Sequence, residues 1–144
     1  MKLAIAGASG KMGQMLIEAA LAQPDLQVAV ALDRPDSPML GRDCAETLGR
    51  TTGVRVGADL AAVAAADVLI DFTRPEATLK HVEACVAAGV RMVIGTTGFE
   101  EAGKRAIRAA AERIAIVFAP NMPRMPTRGA PSSRSRSASL VTKA

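Results

Sequence analysis

The chain has no tryptophan, no tyrosine and only three phenylalanines in 144 residues. Its core must therefore be aliphatic, and it lacks the interleaved aromatic residues on which proteins stack the bases of single-stranded nucleic acid. Two cysteines occur, Cys44 and Cys85; neither belongs to a C-x-x-C or Cys/His cluster, so both read as reduced thiols of an intracellular protein. The single histidine, His81, leaves no metal cluster and no Ser/His/Asp set in plausible order. It sits mid-helix beside Lys80 and Glu83 and reads as a solvated surface residue with no catalytic part. No apolar run reaches the roughly 18 residues of a membrane helix, and the amino end, Met1 to Gly7, is broken too soon by glycine for a signal peptide. The expectation is a cytoplasmic protein with neither membrane nor nucleic acid as partner.

What is present fits about one domain, and a chain of this length buries about 70% of its unfolded surface without staples. The formal net charge of +4 is unevenly placed. From Pro123 onward there are five basic residues and no acidic ones, so the remaining 13 basic residues of positions 1–122 face 14 acidic ones, a net of −1. The same stretch holds five of the seven serines and three of the eight prolines, with no hydrophobic period. Such a composition cannot offset its ordering entropy by burial, so 123–144 is expected to be a disordered Arg/Ser/Pro tail and 1–122 the folded domain. Nucleic-acid binding through Ser133 to Ser137 is the reading that the tail's charge alone offers.

Before Pro123, short aliphatic runs alternate with helix-like segments. The runs are Leu3 to Ala6, Val28 to Leu32, a weak Val54 to Val56, Val68 to Phe72, Met92 to Ile94 and Ala115 to Phe118. Met12, Leu16, Ala19 and Ala20 are spaced as one face of a helix. Thr73 with Glu76, and Thr97 with Glu100, fit the capping box at two helix starts, and Gly89 fits a helix stop. Strands apolar throughout and separated by helices imply a parallel sheet covered on both faces. The fold expected is α/β, a Rossmann-like doubly wound sheet, incomplete.

The first run passes directly into Gly7-Ala8-Ser9-Gly10-Lys11-Met12-Gly13 and then a helix. Phosphate binding needs backbone amides at close range and the positive end of a helix dipole, and glycine permits that approach. The spacing is G-x-x-G-x-x-G, with Ser9 where the usual fingerprint has its middle glycine, and Gly10 is available for the close approach instead. Glycine needed only for tight turns would leave the same letters; the strand-to-helix context separates the two readings. Asp33 ends the second run, 20 residues after Gly13, where an acidic side chain meets the adenosine ribose of a dinucleotide. Arg34 follows and suits a 2'-phosphate. NADH and NADPH both remain open, and an ordinary Asp-Arg-Pro turn is the bland alternative. The loops after the fourth and fifth runs, Asp71 to Arg74 and Gly95 to Gly98, lie at strand carboxyl ends and should face the same ligand.

Four segments, Ala6 to Gly13, Ile70 to Glu76, Val93 to Phe99 and Ile116 to Met122, resemble the bacterial 4-hydroxy-tetrahydrodipicolinate reductases, also called dihydrodipicolinate reductases, in order and spacing over residues 1–122. The resemblance implies an NAD(P)H-dependent oxidoreductase that reduces a cyclic dicarboxylate imine in diaminopimelate and lysine biosynthesis. It implies that Gly7, Ala8, Ser9, Gly10, Lys11 and Met12 cradle the pyrophosphate, and that Asp33 and Arg34 meet the adenosine ribose or its phosphate. Arg74 adds positive charge there, Gly95, Thr96 and Thr97 contact the nicotinamide side, and Ala119, Pro120, Asn121 and Met122 form a last cofactor loop. No metal is implied. The family's second domain, with its His-His pair, nearby Lys and Ser-Gly-Thr motif for the substrate and its tetramer-forming sheet, has no match in this sequence. The tail in its place looks like a shifted reading frame, so cofactor binding without catalysis is the expectation, and the family's homotetramer is in doubt. A non-catalytic dinucleotide sensor is the alternative from another class, and another Rossmann dehydrogenase that has lost its catalytic domain is the alternative among enzymes.

Overall fold

The computed structural model describes residues 1–118 and the backbone of 139–141. Six strands lie parallel: β1 (Lys2–Ala6), β2 (Gln27–Leu32), β3 (Val56–Gly57), β4 (Val68–Asp71), β5 (Arg91–Ile94) and β6 (Ile116–Phe118). A seventh, β7 (Ser139–Val141), pairs antiparallel with β6. The order across the sheet is β3-β2-β1-β4-β5-β6-β7. The six parallel strands thus follow the doubly wound Rossmann order, with chain direction across the sheet reversing between β1 and β4. Helices α1 (Lys11–Leu21), α2 (Pro75–Ala88) and α3 (Glu101–Ala110) supply the crossovers from β1 to β2, β4 to β5 and β5 to β6, and short 3-10 helices at Glu46–Leu48 and Leu60–Ala65 lie in the connections on either side of β3.

Strand residues alternate between faces, and the two halves of the core follow that period except in β2, where the pairing with β1 skips Ala29 and puts Val28 and Ala31 on one face and Val30 and Leu32 on the other. Ala4, Ala6, Val30, Leu32, Leu69, Met92, Ile94 and Ile116 pack with Val82 and Cys85 of α2 and Ile107 and Ala110 of α3. Leu3, Ile5, Val28 and Ala31 pack with Ile17 and Ala20 of α1 on the opposite face. The fold is therefore doubly wound as expected, and its second face thins toward β6, where Ile70, Val93 and Val117 are only half-buried. Phe99 and Phe118 meet edge to face, centroids 5.6 Å apart, and close the α3 side.

Three expectations require correction. Helix α1 buries Gly13, Ile17 and Ala20, whereas Met12 is exposed; the core stripe is rotated one residue because Gly13 packs against the Gly7–Ala8 loop. Neither capping box forms. The N-cap residues are Arg74 and Glu100, with no side-chain cap bond at either. Thr73 instead gives its hydroxyl to the buried Asp71 carboxylate at 2.5 Å, and Thr97 is exposed ahead of a helix that begins only at Glu101. Gly89 does stop α2, in the left-handed conformation at φ 72°. The tail expected to be disordered from 123 is a strand at Ser139–Val141, where its most apolar residues meet the otherwise open edge of β6. The remainder of that tail lies outside the described residues.

Candidate functional site

The carboxyl ends of β1 and β4 meet at the point where the sheet order reverses, the place at which a crevice opens in this topology. The loop from β1 into α1 starts at Gly7, whose φ of 73° favours glycine. Gly13 serves a different need: a Cβ there would stand 2.1 Å from the Gly7 carbonyl oxygen, so only glycine lets the first turn of α1 pack against the loop. Gly10, the N-cap of α1, donates its amide to Gly7 at 3.0 Å. The amides of the following turn have no partner inside the helix and carry the positive end of its dipole.

Asp33 lies beside this loop, just beyond β2. Its Oδ2 accepts from the Ser9 amide at 3.3 Å, from the Ser37 hydroxyl at 2.9 Å and from the Ser9 hydroxyl, while Oδ1 accepts from the Arg34 amide at 2.9 Å. Burial pushes the carboxyl up, but the donors from Ser9, Arg34 and Ser37 outweigh it and hold the group below its ordinary 3.8. Arg34 is exposed and meets Asp36 at 3.5 Å, an ion pair of little energetic weight at such exposure.

From the β4 side comes the feature the sequence reading missed. Asp71, fully buried, receives His81 Nδ1 at 2.6 Å on Oδ2, and on Oδ1 the Thr73 hydroxyl at 2.5 Å and amide at 2.9 Å. Burial raises its pKa, and the His81 bond, the His81 charge and the Thr73 donors more than reverse that, leaving it lowered. His81 is thus not the solvated residue expected: it is 8% exposed. The signal was available, since Thr78, His81, Val82 and Cys85 form one buried stripe of α2 at helical spacing. A chain of hydroxyls extends the cluster, Thr73 to Thr78 at 3.3 Å and Thr78 to Thr96 at 2.8 Å.

These elements line one cleft of about 630 Å³. Of the residues expected from sequence, Gly7, Ser9, Gly10, Lys11, Met12, Asp33, Arg34 and Arg74 border it, joined by Lys80 and His81 from α2. Ala8 is fully buried beneath the loop. Gly95, Thr96 and Thr97 do not border this cleft; Thr96 is 2% exposed and turns its hydroxyl into the Asp71 cluster. Ala119, Pro120, Asn121 and Met122 lie outside the described residues. Among the described residues no group of three or more metal-ligating side chains occurs. The donor set, free helix amides with lysine and arginine around an open loop, suits a phosphorylated ligand.

Comparison with known proteins gives a consistent picture. The sequence model of the family described as Dihydrodipicolinate reductase, N-terminus, matches residues 1–122. The 4-hydroxy-tetrahydrodipicolinate reductase of Bordetella pertussis is 59% identical over 121 residues, which are 84% of this chain and 45% of that protein. That of Herminiimonas arsenicoxydans is 60% identical over 123 residues, 85% of this chain and 46% of that protein. The chain therefore spans less than half the length of these curated relatives. Among solved structures, dipicolinate-bound dihydrodipicolinate reductase from Paenisporosarcina sp. TG-14 superposes with a TM-score of 0.66 at 28% identity, over 84% of this chain and 47% of that one. Amine dehydrogenase from Mycobacterium smegmatis, at 20% identity and a TM-score of 0.67 over 81% of this chain and 37% of its own, shares the fold.

Proposed function

The chain belongs to the dihydrodipicolinate reductase family through that family's N-terminal domain, and on that premise we propose that residues 1–122 form a unit that binds NAD(P)H in the cleft between β1, β2 and β4. The observation that carries the reading is convergence: the glycine loop, Asp33 with Arg34, and the loop before α2 border a single cleft where the sheet order reverses. Such a crevice is where doubly wound sheets hold dinucleotides.

Each group has a place in this reading. The first-turn amides of α1 and Lys11 hold the pyrophosphate, since amides and a helix dipole stabilise anionic oxygens. Asp33 stands at the adenosine ribose, and Arg34 and Arg74 answer a 2'-phosphate by charge-assisted bonds. Gly95, Thr96 and Thr97 follow β5 and belong to the nicotinamide side, with Thr96 acting through its backbone because its hydroxyl is held in the core.

For the full-length protein the proposed activity is reduction of a small cyclic dicarboxylate imine. The bound reduced nicotinamide supplies the hydride. The described residues bind and orient the cofactor, and the single histidine of this sequence is paired with Asp71 in the core. A His-His pair of the kind the family uses for its substrate thus cannot come from these 144 residues. Among the described residues no helix is long and apolar enough to cross a membrane.

The absence of tryptophan and tyrosine makes nicotinamide fluorescence a clean reporter. Titrating the chain into NADPH and NADH should change the emission in a saturable way that AMP reverses. A folded chain that leaves both emissions unchanged would remove the cofactor assignment.

A further inference from the structure

Ser9 stands where the usual glycine fingerprint has its middle glycine, and its side chain is turned onto Asp33. An ionised carboxylate offers about four lone-pair positions. Three donors crowd Oδ2 of Asp33, namely the Ser9 amide, the Ser9 hydroxyl and the Ser37 hydroxyl, and the Arg34 amide takes one position on Oδ1, which leaves a single open position on the carboxylate. A ribose diol that gives both of its hydroxyls to the carboxylate must displace one of the donors on Oδ2. A ribose phosphate makes no such demand. It needs cations, and Lys11, Arg34, Arg74 and Lys80 all border the same cleft.

Building on the cofactor reading above, we propose that Ser9 is a specificity-determining residue which, by occupying Asp33, turns this cleft toward NADPH over NADH. Ser37 assists from the other side. It is 6% exposed, and its hydroxyl also accepts the Met39 amide at 3.1 Å, so it is fixed in place on the same carboxylate oxygen. The Ser9 hydroxyl has no such second anchor among the described residues, which makes it the donor whose removal opens a position on Asp33 at least cost to the loop.

The test is the ratio of NADH to NADPH dissociation constants, measured by calorimetry on the whole chain and on Ser9→Ala, with circular dichroism confirming the fold. Wild type should bind NADPH more tightly. In Ser9→Ala the ratio of the NADH to the NADPH dissociation constant should fall by roughly fivefold, the worth of one regained hydrogen bond, whatever the change common to both cofactors through the loop they share. Ser37→Ala, which frees the same oxygen without touching the glycine loop, should shift the ratio in the same direction and serves if Ser9→Ala does not fold. A wild-type preference for NADH, an unchanged ratio in the variants, or equal loss of both cofactors in a folded Ser9→Ala chain would overturn the proposal. If wild type binds neither cofactor, it is the cofactor reading itself that fails.

Discussion

Asp71 and His81 are bound to each other at 2.6 Å, one buried at the end of β4 and the other in the second turn of α2, where it borders the cleft. Neither touches bulk water to any extent, with side-chain exposures of 0% and 10%. A buried carboxylate without a partner is costly, so the pair welds strand, loop and helix where the cleft is formed.

His81→Ala should destabilise the fold by about 3–5 kcal/mol at neutral pH, because it leaves the Asp71 carboxylate buried and unpaired. The pH dependence has a definite sign. Asp71 titrates below 3.8 in the folded wild type, so its contribution is present above 3.8 and is lost as pH falls toward the lowered folded value. Without His81, burial dominates and the carboxyl takes up its proton at higher pH. The gap between wild type and variant should therefore narrow on acidification. Urea midpoints stepped from neutral pH to below 3.8 measure it; a gap that stays constant contradicts the pairing.

The two glycines at opposite ends of the packing scale should behave oppositely. Gly13→Ala forces a Cβ against the Gly7 carbonyl at 2.1 Å, and overpacking of this kind costs about 1–3 kcal/mol. It should also weaken NADPH binding by at least roughly tenfold, the equivalent of 1.4 kcal/mol. Gly57→Ala meets nothing within 4 Å and should change stability by no more than about 1 kcal/mol. Thermal unfolding and NADPH titration of both variants check the contrast.

Replacing Arg34 with Ala should weaken NADPH by about tenfold, since a hydrogen bond to a charged group is worth about 1.5–3 kcal/mol. NADH, which lacks the phosphate, should change by much less. Equal effects on the two cofactors would take Arg34 out of the phosphate site.

Both thiols should resist modification while the chain is folded. Cys44 and Cys85 are fully buried, and burial, reinforced by the Asp71 charge, pushes Cys85 up to about 12. The thiolate is the reactive form, so a chromogenic disulfide should label neither rapidly until denaturant is added. Fast labelling of one thiol in the native state would contradict this packing.

Much of this architecture was legible because apolar runs and glycines report local needs. The six parallel strands fall on the six aliphatic runs, and Gly7, Gly13, Asp33 and Arg34 meet in the cleft that their spacing implied. What was not legible depended on partners distant in sequence. Thr73 reads as a cap until Asp71 is seen to compete for its hydroxyl, and the competition is won by the group that cannot reach water. His81 reads as surface because its chain neighbours are charged, although its neighbours at helical spacing, Thr78 and Cys85, are core. The face of α1 was misplaced for a similar reason: Met12 is the larger apolar residue, but only Gly13 fits against the loop. Ser139–Val141 found a strand edge that composition does not reveal.

The central claim is that the glycine loop and the groups around Asp33 bind a reduced nicotinamide dinucleotide. Calorimetric titration of the chain with NADPH, with circular dichroism on the same samples, tests it most directly. The account predicts binding of one NADPH per folded chain, competed by AMP and abolished or strongly weakened by Gly13→Ala. A folded wild-type chain that gives no heat of binding with either NADPH or NADH would contradict it.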